Sequence, residues 1–430
     1  MPKTQDTKYF RKGLGNKEQV APLLHADYHS GLAEWFKASG FRYQSGDVEI
    51  RLAKEFGFCY GVDRAVEYAY ECRDRFPDRR ILITGEIIHN PWVNRRLEEM
   101  GIGFLSPEGG DRLREVEAND VVLIPAFGME HEDFLRLRER GVILVDTTCG
   151  SVLSVWKSVE RYAREGFTAI VHGKKDHEET LATCSQVRKY EGAHYLVLRD
   201  MEQAGWVCEF LEGRLDGDTL MTRLPDAYSP GFDPSLHLQK LGIANQTTML
   251  STESLEIAAL LRKSMKTARG DADLGAHFRS FDTICSATQD RQDAVKQMLA
   301  EKCDLMVVVG GFNSSNTTHL LEICLPVTKA YHVEDVDGLV SPDWIRHKPL
   351  EESLPILSDG WLPQGPAVLG VTAGASTPDT AVGATIAKLM RFRGIPQEEI
   401  EALAETGSRL AAEKRNSRGG RDPLPIDRSS

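Results

Sequence analysis

The chain has 430 residues, 41% of them apolar and 27% charged, which are ordinary proportions for a globular protein of about two to four domains. Its net charge of −12 argues against a nucleic-acid partner, which requires a basic stripe to neutralise phosphates. No apolar run approaches the roughly 18 residues of a membrane span, and the polar start, 1–16, lacks the apolar stretch of a secretory signal, so a cytoplasmic protein is expected.

Residues 1–50 read as an N-terminal extension with a short helix near 31–38. From Val48 onward, short apolar strands alternate with helical patterns, the signature of βαβ units and parallel sheets. Strands are predicted at 81–84, 121–125, 142–145, 168–171, 194–198, 243–245, 305–309 and 367–371. Helices are predicted at 62–76, 91–100, 153–164, 252–267, 290–301, 317–325 and 380–390. The composition of 415–430, rich in Arg, Gly, Ser and Pro, predicts a disordered tail.

Eight cysteines are scattered through the chain, so metal or catalytic use is a better expectation than a disulfide framework. Three share a setting. Cys59 stands in Gly-Phe-Cys-Tyr-Gly-Val, Cys149 in Asp-Thr-Thr-Cys-Gly-Ser, and Cys285 in Asp-Thr-Ile-Cys-Ser-Ala, each just before a predicted helix. The last two form a weak internal repeat. The pattern predicts an α/β fold of three similar units, with small, mostly parallel sheets around a pseudo-threefold axis, plus the N-terminal extension. The expected boundaries are 51–148 with Cys59, 149–284 with Cys149 and 285–395 with Cys285, followed by a C-terminal helix and tail over 396–430. A thiol at a helix N-terminus is biased toward the thiolate that an iron–sulfur cluster requires. Three ligands would leave one iron without a protein ligand. Three merely buried cysteines are the bland alternative.

Polar loops close the predicted strands. His172-Gly-Lys-Lys-Asp-His177-Glu-Glu179 follows one, at the strand end where open α/β sheets bind ligands. His177 is a candidate anion ligand and Glu179 a candidate proton donor. A metal site of His172, His177 and Glu179 is a competing reading. Gly310-Gly-Phe-Asn-Ser314-Ser315-Asn316-Thr follows the apolar strand 305–309 and suits a phosphate at a helix start, although it lacks the Lys of a P-loop. Ser376 sits in a similar loop, His89 in Gly-Glu-Ile-Ile-His-Asn-Pro, and Gln246 and Thr247 in Asn-Gln-Thr-Thr-Met. A lone histidine or a helix-capping serine explains each of these equally well when taken singly.

As a set, these motifs, with Pro-Ala-Phe-Gly at Pro125 and Gly-Ala-Ser-Thr-Pro-Asp at Gly374, resemble the 4-hydroxy-3-methylbut-2-enyl diphosphate reductase family. The likeness covers about Tyr9 to Met390 and is greatest to the longer cyanobacterial and plastid form. It implies a [4Fe-4S] cluster on Cys59, Cys149 and Cys285. His89, His177, Ser314, Ser315, Asn316 and Ser376 match the family's diphosphate-binding positions. Glu179 matches its proton-delivering carboxylate and Thr247 the threonine near the substrate hydroxyl, with Gln246 supporting that network. The implied reaction is the last step of the methylerythritol phosphate route, reductive dehydroxylation to isopentenyl and dimethylallyl diphosphate. With no Gly-x-Gly-x-x-Gly fingerprint, electrons are expected from ferredoxin or flavodoxin. Two positions depart from the pattern. Phe127 stands where many shorter members carry His, and Gly150 where Pro is usual, which predicts a looser start to the helix after Cys149.

Overall fold

The structure is a computed structural model and describes residues 8–105, 111–270, 274–281 and 283–418. It is a mixed α/β protein built on three small, mostly parallel sheets, as the alternation of strands and helices predicts. The chain divides into two compact units, one of 1–22 with 59–290 and one of 23–58 with 291–430.

The first unit holds two of the sheets. One runs in the order Tyr9–Phe10, Ile143–Asp146, Val121–Ile124, Ile81–Ile83 and Ile102–Phe104, all parallel. The other runs Phe278–Ser280, Leu241–Asn245, Thr168–His172 and Tyr195–Leu198, again all parallel. The second unit holds Lys329–Val333, Leu305–Val309, Ala367–Ala373 and Val48–Leu52 in parallel, with Arg42–Ser45 antiparallel at the edge. Central strands such as Thr168–His172, Leu241–Asn245 and Leu305–Val309 are buried at every position. Helices covering both faces of a parallel sheet require this, and it explains why these strands read as continuous apolar runs.

The residues set apart as an extension are shared between sheets. Tyr9–Phe10 completes the first sheet beside Ile143–Asp146. Val48–Leu52 pairs with Ala367–Ala373, so position 51 lies inside a strand of the third sheet. A parallel partner some three hundred residues away leaves no local trace in sequence. The C-terminal helix, Gln397–Arg418, runs into the stretch expected to be disordered, and 419–430 lie outside the described residues. Among the described residues no helix is long and apolar enough to cross a membrane.

Candidate active site

Each cysteine of the set stands at a helix start. Cys59 is the N-cap of Tyr60–Arg75 and Cys149 that of Gly150–Arg164, both in extended backbone and neither with a side-chain capping bond. Cys285 immediately precedes Ser286–Leu299. The helix after Cys149 begins at Gly150 itself, and its approach is pinned. Asp146 Oδ1 accepts from the Thr148 N–H at 3.0 Å, the Thr147 hydroxyl donates to Ile124 O at 2.6 Å, and the Cys149 N–H donates to Ala126 O at 2.9 Å. Thr283 plays the matching part before Cys285, accepting from the Asn245 N–H at 2.7 Å and donating back to Asn245 O at 3.1 Å.

The thiols converge. A Cβ added to Gly61 would lie 2.5 Å from Cys149 Sγ and 3.9 Å from Cys59 Sγ, so only a glycine fits beside them. Cys285 senses the charges of Cys59 and Glu179, and its N–H donates to Thr247 O at 3.3 Å. All three are half-buried, as is Cys303, whereas Cys72, Cys184, Cys208 and Cys324 are buried. One expectation changes sign. Burial pushes the Cys285 thiol up to about 11, and the Thr288 hydroxyl and N–H, 3.0 and 3.3 Å from its sulfur, offset this only in part. A helix N-terminus alone does not make this group a thiolate; a bound cation would.

Beside Cys285 lies a buried carboxyl. Glu179 is 1% exposed and accepts from the Thr247 N–H at 2.6 Å and the Thr247 hydroxyl at 2.9 Å. Burial raises its pKa to about 7, against the lowering effect of both Thr247 bonds and of His89. It is thus poised to hold or release a proton at neutral pH. Gln246 supports the same loops. Its Oε1 accepts from the Lys174 N–H and the Thr180 hydroxyl, and its Nε2 donates to Thr248.

His177 caps the helix Glu178–Val187, its Nδ1 accepting from the Glu179 N–H at 3.1 Å. Burial, then the charges of His89 and Lys174, push its pKa down to about 3, so it is neutral. A neutral ring that accepts at Nδ1 must carry its proton on Nε2. That N–H points at His89 Nε2, 3.2 Å away, while His89 Nδ1 lies 2.8 Å from Glu86 Oε2. Glu178 Oε2 also lies 3.4 Å from His89 Nε2, so carboxylates face both nitrogens of that ring. Phe127 stacks on the His89 ring.

This geometry bears on the metal alternative. His172 is fully buried and turned to Ser254 Oγ at 2.8 Å, with Glu253 beyond, so it does not join His177. His89, His177 and Glu178 do cluster within ligand distance. The capping bond nevertheless leaves His177 Nε2 a donor instead of a metal ligand.

In the second unit, Ser314 caps the helix Ser315–Cys324. Asn316 Oδ1 accepts from the Ala375 N–H at 2.9 Å, tying the loop after Leu305–Val309 to the one that carries Ser376. Ser314, Ser315, Asn316 and Ser376 are all buried, and the Ser315 hydroxyl has no hydrogen-bond partner among the described residues. Gly310, at φ +152°, is required here, since a Cβ would meet the hydroxyls of Thr317 and Thr377 at 2.5 and 2.7 Å. A buried, unpaired hydroxyl at a helix start suits an anion.

The family model described as LytB protein matches residues 50–390. The chain belongs to the LytB family. Among LytB relatives named 4-hydroxy-3-methylbut-2-enyl diphosphate reductase, that of Acaryochloris marina is 44% identical over 91% of this chain and 96% of its own. That of Parasynechococcus marenigrum is 48% identical over 89% and 95%. A solved structure of (E)-4-hydroxy-3-methyl-but-2-enyl diphosphate reductase, described as the terminal enzyme of the non-mevalonate pathway, is 27% identical. It covers 80% of this chain and 99% of its own, with a TM-score of 0.50. The Plasmodium falciparum structure, 22% identical with a TM-score of 0.58 over 85% and 98%, shares the fold. Two LytB-site features escaped the motif reading, the Glu86 contact and the Phe127 stack. Glu86 stood three residues before His89, at the distance of a local turn, and was the available signal.

Proposed function

We propose that the protein catalyses reductive dehydroxylation of (E)-4-hydroxy-3-methylbut-2-enyl diphosphate to isopentenyl and dimethylallyl diphosphate. The observation that carries this reading is a buried carboxyl, Glu179, held by the Thr247 N–H and hydroxyl next to one of three converging cysteines. Names borne by relatives across nine-tenths of the chain support the substrate. The reaction breaks the allylic C–O bond and forms a C–H bond at either end of the allyl unit. It consumes two electrons and two protons and releases water.

The three thiols, with Gly61 leaving room between Cys59 and Cys149, fit a cluster that has three protein ligands. When bound, a [4Fe-4S] cluster on Cys59, Cys149 and Cys285 supplies single electrons and, at the iron without a thiolate, Lewis acidity for the leaving group. The remaining work falls to the chain's own groups. His177 donates from Nε2 to the diphosphate, and His89 joins it, steadied by Glu86. Ser314, Ser315, Asn316 and Ser376 match the family's diphosphate-binding positions, and we assign them that role. Glu179 protonates the departing oxygen, so that water leaves instead of hydroxide. Thr247 holds that oxygen and the carboxyl together, and Gln246 fixes the loop beneath.

The electron donor we assign is ferredoxin or flavodoxin. All eight cysteines are free, which agrees with the reducing cytoplasm to which we assign the protein. The deciding experiment is anaerobic purification followed by iron analysis, a visible spectrum and turnover with a one-electron donor. Brown protein with about four irons that turns the diphosphate over, and loses both properties in Cys149→Ser, is the expected result. Colourless, iron-free protein, or brown protein without turnover, overturns the reading.

A further inference from the structure

The three-cysteine centre has two unlike sides. Toward Glu179 and Thr247 it is closed, those residues being 1% and 5% exposed. At the helix starts it is open, because the residue after each cysteine, Tyr60, Gly150 and Ser286, is exposed. Tyr60 is 83% exposed, more than any other large hydrophobic side chain among the described residues. Packing gives no reason for an aromatic ring in water one residue from Cys59. Aromatic residues are enriched where proteins meet proteins.

Charge gives this side a sign. The helix after Cys149 exposes a single stripe of Gly150, Ser154, Lys157, Arg161 and Arg164, at helical spacing, with three cations. Arg11 and Lys157 border one cavity of about 310 Å³ that reaches Thr148, beside Cys149. Arg64, on the Cys59 helix, donates to Arg11 O at 2.7 Å, which joins the two helix starts through the same segment. Nearby acids are matched in part, two of them by Arg161 and Arg11 themselves, and Asp290 and Asp293 on the Cys285 helix are exposed. Glu160 pairs with Lys189 at 2.8 Å, Glu67 with Lys17 at 2.5 Å, Glu165 with Arg161 at 3.1 Å, and Asp146 faces Arg11 at 3.7 Å; Asp63 is exposed. In a chain of net charge −12, a helix with a cationic stripe that starts beside one cysteine, with an exposed ring next to another, is a local exception.

We propose that this face, centred on Tyr60 and flanked by Arg11, Lys157 and Arg161, docks an acidic one-electron carrier protein. The inference rests on the reductase reading and names where its electrons enter. The closed side admits the small diphosphate, and the open side brings a protein redox partner within a residue of two ligands. Each turnover takes two encounters, each oxidising one reduced carrier by one electron. Both electrons end in the product's C–H bond and the released water, with two protons drawn from solvent. The flanking cations attract the acidic carrier against the repulsion of the whole chain, so salt weakens the encounter.

The test uses anaerobic holoprotein and a plant-type [2Fe-2S] ferredoxin as probe. Binding is measured against ionic strength, and turnover is driven either by ferredoxin or by a small viologen. The expected result is salt-sensitive binding, weakened about tenfold in the double variant Lys157→Glu/Arg161→Glu. Tyr60→Ala should lose ferredoxin-driven turnover several-fold, while viologen-driven turnover stays within about twofold in both. Ferredoxin affinity unchanged by the charge reversals, equal losses with both donors, or a dimer of this chain that the reversals dissociate would each overturn the docking face. Failure of the unaltered protein to turn over with viologen overturns the reductase reading instead, and the affinity measurement still decides the docking face.

Discussion

The imidazole of His89 lies flat on the ring of Phe127, with centroids 4.1 Å apart and planes 20° from parallel. The phenyl ring offers the diphosphate no hydrogen bond. Its contribution is to fix the plane of the imidazole, whose two nitrogens face Glu86 and His177. A stacked pair of this kind contributes about 0.5–1.5 kcal/mol beyond its buried area. Phe127→Ala should therefore raise KM for the diphosphate about three- to tenfold and leave kcat within about twofold. Steady-state kinetics with a viologen donor checks this. A fall in kcat without a change in KM would place Phe127 elsewhere in the reaction.

Glu179 sets the pH dependence. Its pKa of about 7 means that the proton is present below neutrality and lost above it, so kcat should fall as pH rises through about 7. The groups that act on the carboxyl are Thr247, whose two bonds lower its pKa, His89, which lowers it, and Cys285, whose own thiol responds to it. Thr247→Val removes the hydroxyl bond and keeps the N–H, so the alkaline limb should move to higher pH. Glu179→Gln should cost about 10²–10⁴ in kcat. A pH–rate profile of the three proteins distinguishes these outcomes.

The same shift is a stability statement. The folded pKa, about 7, is above the ordinary glutamate value of 4.5. Below about 4.5 the group is neutral in both states and costs nothing. As pH rises toward and through 7, the folded state loses on the order of 3 kcal/mol because it must hold a buried charge or a proton. Glu179→Gln should accordingly raise Tm at pH 8 and leave it unchanged at pH 4. Calorimetry at the two pH values is the check, and a gain at pH 4 would contradict the assignment.

Two glycines beside the cysteines should behave oppositely. Gly61→Ala places a methyl 2.5 Å from Cys149 Sγ, so the protein should fold yet retain well under half of its iron, as read by iron analysis and circular dichroism. A Cβ at Gly150 meets nothing within 4 Å, and the residue opens its helix. Proline suits that first position, where the N–H has no intrahelical partner. Gly150→Pro should stabilise by about 0.5–1 kcal/mol, read as a Tm rise of a few degrees.

The centre was legible because its parts are local. Cys149 and Cys285 carry similar tetrapeptides, and the Asp-Thr-Thr lead before Cys149 builds the turn that presents its sulfur. Glu179 could be named from its place two residues after His177. The contacts that crossed the chain were not legible. Nothing near Phe127 announces His89, because stacking depends on where two separate loops end. His172 looked like a partner of His177 until Ser254, on a distant helix, took its Nδ1. The thiolate bias of a helix start was a correct local rule, outweighed at Cys285 by burial. The edge strands Ile102–Phe104 and Lys329–Val333 escaped notice because the first is short and the second carries Lys and His among its apolar residues.

The pairing of Val48–Leu52 with Ala367–Ala373 also imposes an order in time. The early strand leaves the ribosome and waits for a partner that is not yet made, roughly fifteen seconds to a minute at ordinary rates of synthesis. During that wait the whole of 59–290, with all three cysteines, is already outside. A newborn chain thus displays the three thiols assigned to a cluster before the sheet that claims its own beginning can close, so the window for loading one is set by the length of the message.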